Sequence, residues 1–181
     1  MRRTLVLFDF FYLVSELKKV PRKGWISKVG IENPESVADH SYGTAIMAMV
    51  LSDSHNLDTE KILKMALLHD VAESITGDFM PDEITKENKR IAENDAMKEI
   101  FSKLPDNLAL QYDKIWQEYS QANTKESILL HEIDKLEMAI QAVKYSSEGF
   151  SSEKLSLFVD SAKKEIKSKE LLDILDTLSY K

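Results

Sequence analysis

The densest chemistry in the sequence is Leu67-Leu68-His69-Asp70-Val71-Ala72-Glu73. A His-Asp pair among apolar residues is unusual, because Asp is rarely buried unless it is paired or bound to a metal. Alone, the dipeptide would be a hydrogen bond on a helix surface. Glu73 follows His69 by four residues, so on a helix the two face the same way. Upstream, Glu35-Ser36-Val37-Ala38-Asp39-His40-Ser41 places His40 at the start of an apolar-faced segment. Downstream, His131-Glu132-Ile133-Asp134-Lys135-Leu136-Glu137 places Asp134 in the middle of a long one. His40, His69, Asp70 and Asp134 thus offer two imidazoles and two carboxylates from three helices. Such a mixed nitrogen and oxygen set suits one divalent ion (Mn²⁺, Co²⁺, Zn²⁺ or similar), with positions left for water and substrate.

Composition narrows the alternatives. The 181 residues include no cysteine and four histidines, so disulfides, zinc fingers, iron–sulfur clusters and thiol nucleophiles are excluded. With 24 Lys and Arg against 31 Asp and Glu, the formal charge is −7. That is a poor balance for a nucleic-acid polymer, whose binding draws on phosphate neutralisation. No segment approaches the roughly 20 apolar residues that a bilayer crossing needs, so no membrane partner is expected. Met1 to Lys19 superficially resembles a signal peptide, but Asp9 and Glu16 interrupt its apolar run and no small-residue cleavage site follows. We read it as the first helix of the fold and expect a cytoplasmic protein.

The elements that must position these side chains are legible from the breakers. Residues 44–76, 106–148 and 150–181 contain neither glycine nor proline, and helices end where such residues stand. Apolar residues recur at three- and four-residue steps in 36–53, 59–73 and 125–145, the last with Ile128, Leu130, Ile133, Leu136, Ala139, Ile140 and Val143 as its apolar face. Segments 85–103, 106–120, 152–167 and 170–179 read as further amphipathic helices. No alternating strand-length run, hairpin signal or repeat is present. The expectation is an all-α, single-domain bundle of seven or eight helices spanning 1–181. Two loops stand out: a basic one from Val20 to Pro34 carrying Trp25, and Ser74 to Pro81 directly after the histidine-bearing helix.

Four blocks in this order, PRKGW (21–25), ESVADHS (35–41), LLHDVAESITGD (67–78) and EIDKLEMAIQA (132–142), resemble the HD-domain metal-dependent phosphohydrolases, in their 5′-deoxynucleotidase branch. The resemblance covers about Leu13 to Val143, with the helices of 150–181 expected to pack on that core. It implies that His40, His69, Asp70 and Asp134 bind one divalent metal. It implies too that Glu73 and Asp78 position or deprotonate the attacking water and contact substrate, and that Arg22 and Trp25 bind substrate. The implied fold is all-α, the implied substrate a nucleoside 5′-monophosphate, and family members are commonly homodimers.

The chemistry stands on its own footing. A phosphate monoester dianion needs its charge offset and a nucleophile generated near neutral pH, and a metal serves both needs. Arg22 offers planar paired donors to phosphate oxygens. Trp25 offers a stacking or apolar contact to a base or sugar. Asp78 could take a sugar hydroxyl or simply shape a turn after Gly77, so its role and that of Glu73 stay open. A triphosphate or alarmone hydrolase would need more cations than Arg22, Lys23 and Lys28 near the motifs. A two-metal site would need histidines in 71–130, where there are none. A non-catalytic helical interaction module would have no use for the complete set. His131 and His55 read as surface or loop residues.

Overall fold

Five helices begin at a side-chain cap. Ser36, Asp58, Thr85, Thr124 and Ser151 each accept a hydrogen bond from a backbone N–H of the first turn. Ser36 with Asp39 and Thr124 with Ser127 close the bond reciprocally as capping boxes. The computed structural model describes residues 2–80 and 82–178, with side chains from Leu7 onward. Met1, Pro81 and residues 179–181, which the expected first helix, second loop and last helix include, lie outside the described residues.

In chain order the helices are α1 (Arg2–Glu16), α2 (Val37–Ser54), α3 (Thr59–Leu68), α4 (Glu73–Thr76), α5 (Lys86–Phe101), α6 (Asp106–Gln121), α7 (Lys125–Ser147), α8 (Ser152–Glu165) and α9 (Lys169–Leu178). A 3₁₀ turn (Leu17–Lys19) follows α1, and a single π turn (Trp25–Val29) lies in the first loop. No strand occurs among the described residues. An isolated bridge pairs Pro21 with Ser36, and Arg22 N–H donates to Glu35 O at 3.1 Å. The basic loop is therefore tied to the start of α2, which places Arg22 beside His40.

Helix α7 is the axis, packed by α2, α3, α6, α8 and α9. Its buried stripe is Leu129, Leu130, Ile133, Leu136, Ala139 and Ala142, facing Ile62 and Met65 of α3. Full burial of each large aliphatic side chain contributes about 1.5–3 kcal/mol. A second cluster gathers Leu17, Val37, Val71, Met97, Phe101 and Trp116, and a third gathers Trp25, Ile31, Tyr145 and Leu155. The expected faces are corrected at their margins. Ile128, Ile91 and Leu110 are exposed, each lying off the side its helix turns to the core.

Two breakers behave differently from each other. Gly43 ends nothing and sits inside α2. Gly77 terminates α4 with φ 72° and ψ 169°, a conformation that only glycine adopts readily. The segment 59–73, expected as one helix, stops at Leu68. From there Val71, Glu73 and Ser74 N–H groups reach back three residues, to Leu68, Asp70 and Val71 carbonyls, across the join to α4. These tightened turns carry His69 and Asp70 out of the α-helical register and set both toward α2 and α7.

Candidate active site

His40 and His69 are 0% and 4% exposed, deeper than charged chemistry normally sits. Their Nε2 atoms are 3.4 Å apart. His40 Nε2 lies 3.1 Å from Asp134 Oδ1 and 3.7 Å from Asp70 Oδ2, and His69 Nε2 lies 3.1 Å from Asp70 Oδ2. Two donors each about 2.1 Å from one ion, at tetrahedral or octahedral angles, stand roughly 3.0–3.4 Å from each other. The spacing fits a divalent cation among His40, His69 and Asp134, and Asp70 Oδ2 stands at the edge of that group, 3.1 Å from His69 Nε2 and 3.7 Å from His40 Nε2. Asp70 Oδ2 is also buried with no hydrogen-bond partner, as is Glu73 Oε2. A buried carboxylate oxygen left unpaired is costly unless a cation meets it.

The imidazoles are oriented from behind. His69 Nδ1–H can donate to Ala66 O at 2.7 Å, and His40 Nδ1 is hydrogen-bonded to Glu137 Oε2. In each case the remaining nitrogen, Nε2, points to the donor cluster, the arrangement that fixes the tautomer of a metal-binding histidine. Glu137 carries no signal of its own in the sequence, since an acid three residues after Asp134 is ordinary on a helix. It reaches His40 because Gly43 lacks a side chain: a Cβ there would stand 2.8 Å from Glu137 Oε1.

The cluster demands positive charge. Burial and Arg22 pull the His40 imidazole down, but hydrogen bonds with Asp134 and Glu137 push harder and raise it to about 10. Burial works against Asp70 and Asp134, yet both are held well below the usual carboxylate range, Asp70 chiefly by His69 and Asp134 chiefly by Lys135. Burial, together with Asp70 and Asp78, lifts Glu73 well above that range.

Two cavities meet here. A polar one of about 300 Å³ is bordered by His69, Asp70, Glu73 and Asp134. A larger one of about 630 Å³ is bordered by Trp25, Asp78, Met80 and Phe158. Arg22, Lys89 and Lys135 border both. Arg22 Nη1 is 3.6 Å from Asp70 Oδ2, Lys89 Nζ is 3.9 Å from Glu73 Oε1, and Lys135 Nζ is 3.0 Å from Asp134 Oδ2.

The expected basic set is thereby widened. Lys23 pairs with Glu83, Lys28 pairs with Asp82 while bordering the large cavity, and Lys89, outside every motif block, joins Arg22 together with Lys135 of the fourth block. Glu73 and Asp78 also separate. Glu73 borders the polar cavity, whereas Asp78 borders the large one and accepts the Lys23 backbone N–H at 2.7 Å. Trp25 borders the large cavity too, but it is 2% exposed. Its indole N–H donates to Glu35 at 2.9 Å, and Phe158 lies over it with ring centroids 4.3 Å apart. An open stacking platform at Trp25 is thus corrected to a buried wall. His131 stacks on Tyr119 at 4.3 Å and hydrogen-bonds Tyr119 O at 3.0 Å, at the rim of the polar cavity. His55 pairs with Glu170 far from the site.

The HD domain family matches residues 14–173. The chain belongs to the HD-domain family. Within it, the chain is 37% identical to a human 5′-deoxynucleotidase, HDDC2, over 173 residues covering 95% of this chain and 84% of that protein. It is 40% identical to a 5′-deoxynucleotidase, hdd1, of Schizosaccharomyces pombe over 161 residues, covering 86% and 80%. The fold is similar to that of a conserved hypothetical protein from Pyrococcus furiosus, at TM-score 0.78 and 34% identity, covering 96% of this chain and 99% of that one.

Proposed function

We propose that this HD-domain protein is a metal-dependent 5′-nucleotidase that hydrolyses deoxyribonucleoside 5′-monophosphates to nucleoside and inorganic phosphate. The observation that carries the reading is the convergence of donor atoms on His40, His69 and Asp134, with Asp70 3.1 Å from His69, at a polar cavity that Arg22, Lys89 and Lys135 also border. Its support from relatives is the activity named for the human and S. pombe proteins.

In this reading the four donors hold one divalent ion, which when bound offsets phosphate charge and lowers the pKa of water. Arg22 binds the phosphate oxygens through its planar guanidinium; burial works against its charge, but Asp70, Asp134 and Asp78 keep it charged. Lys89 and Lys135 complete the cationic rim, which stabilises charge developing on the transferred group. Glu73, 2% exposed with Oε2 unpaired, accepts the proton of the attacking water. Asp78 fixes the Lys23 backbone, hence the Arg22 loop, and faces the sugar. Trp25 backs the nucleoside cavity.

Residues 1–181 form one HD domain in this proposal, with α8 and α9 integral to it. A homodimer is supported by Tyr42, Ile46, Met49 and Val50, which line one exposed stripe of α2. A cytoplasmic site of action goes with the nucleotide substrate. No helix among the described residues is long and apolar enough to cross a membrane.

The test is direct. Protein stripped of metal and reloaded with Mn²⁺ or Co²⁺ should release phosphate from dAMP and dGMP, and much less from the ribonucleotides. Absence of phosphate release from every monophosphate with every metal overturns the proposal.

A further inference from the structure

We infer that Phe158, on α8, is a specificity-determining residue that carries the nucleobase, and that α8 rather than the motif-bearing helices sets how tightly different nucleosides are held. This rests on the 5′-nucleotidase reading above and deepens it. The large cavity has a lining of two chemical kinds. The residues it shares with the polar cavity are the cations Arg22, Lys89 and Lys135. Its remaining lining carries an apolar group, Phe79, Met80, Met138, Leu157 and Phe158, together with Lys28, Asp78, Asp82 and Ser161.

A nucleoside monophosphate complements both kinds: a dianion at one end and a flat, weakly polar ring system at the other. With the phosphate at the shared cations, the base falls among the apolar side chains. Two half-buried aromatic rings, Phe79 and Phe158, are among them, and Phe158 is the one that lies on another ring, that of Trp25. Its position is fixed. Trp25 backs it at 4.3 Å with an interplanar angle of 33°, and Trp25 is itself braced edge-on by Tyr145. Gly24 makes room for it, since a Cβ there would already touch the Phe158 ring at 3.4 Å. A base laid on Phe158 would extend a stack whose lower layers are already ordered, so little conformational entropy is lost on binding. Stacking is tolerant of base identity, because every base has a π face.

The experiment compares dAMP with 2-deoxyribose 5-phosphate, which has the same phosphate and sugar but no base. Phe158→Ala and Phe158→Leu are used together. The leucine variant keeps an apolar side chain over Trp25 while removing the aromatic face. The expected result is a KM for dAMP raised about tenfold, in keeping with loss of one base–aromatic stack. Turnover should stay within about twofold, and kinetics on the base-free substrate should match the unmodified protein. Phe158→Tyr should restore the KM for dAMP. Equal losses on both substrates, or an unchanged KM for dAMP in the leucine variant, would overturn the role of Phe158 while leaving the 5′-nucleotidase reading intact. An unmodified protein that hydrolyses neither substrate would remove that reading and this inference with it.

Discussion

The two cavities are built by different rules. The polar cavity is walled by side chains whose neighbours along the chain announce them: His69 and Asp70 adjoin, Glu73 is one turn on, and Asp134 centres a long helix. The larger cavity draws on Trp25 and Asp78 from loops and on Leu157, Phe158 and Ser161 from a helix with no motif. In the first, buried charges must satisfy one another within a few ångströms, so their identities are tightly constrained. In the second, apolar contacts need only volume and shape, which many residues supply. Under the proposed function, the charged cavity would act on any phosphate monoester, while the larger one would choose among nucleosides.

That contrast can be broken or sharpened by substitution. The largest effect is expected from Asp70→Ala, which should abolish bound metal, measured by elemental analysis, and activity on every substrate alike. A variant that keeps its metal would remove Asp70 from the donor set. Next comes Glu73→Gln, which should retain metal but lower kcat on the order of 10²- to 10⁴-fold, the usual contribution of a positioned general base. Full activity there would take the proton-accepting role away from Glu73.

Gly43→Ala probes the support behind His40. Because the added Cβ would stand 2.8 Å from Glu137 Oε1, Glu137 must withdraw from His40. Metal affinity should then fall about 10- to 100-fold, with the preference between dAMP and 2-deoxyribose 5-phosphate unchanged. A shifted preference would mean that the two cavities are not separable.

The smallest effect belongs to a pair remote from both cavities. Lys61 bridges Glu118 at 2.9 Å and Glu126 at 3.1 Å, and Lys61→Met should cost about 0.2–1 kcal/mol by chemical denaturation without altering catalysis. For Glu126 burial raises the pKa, but its own backbone N–H and Lys61 outweigh that and hold it below the ordinary 4.5. Lys61 is raised above 10.5 by Glu118 first. The depressed carboxylate contributes stability above its unfolded value and loses it as pH falls through its folded value. The raised amine contributes below its unfolded value and loses it as pH rises through its folded one. The stability gap between the two proteins should therefore be full near neutral pH and close in acid.

The helices of the fold were legible because glycine, proline and capping residues mark their ends locally. Ser36, Thr85 and Thr124 sit where caps must sit, and α5, α6 and α7 follow within a residue or two of their expected spans. The break at Leu68 was not legible. Nothing in Leu68-His69-Asp70-Val71 disfavours a helix, and the tightened turns are stabilised by burial of Val71 and Ala72 in the second cluster, a tertiary effect. Among the site residues, His40, His69, Asp70 and Asp134 could be chosen from their types and spacing, because buried imidazoles and carboxylates have few other uses.

What the amino-acid sequence determined by itself is the all-α class, the exclusion of thiol chemistry and the small group of residues able to meet one cation. What only the tertiary structure decided is which side chains from distant positions touch them. Glu137 reaches His40 across 97 residues, through the space left by Gly43. Lys89 and Lys135 join Arg22 and Lys28 at the border of the large cavity, and Lys23 does not. Phe158 arrives from α8 to cover Trp25. Periodicity assigns a residue to a face of its own helix. Which neighbour that face meets depends on how the helices pack, and packing is settled by the whole buried surface at once.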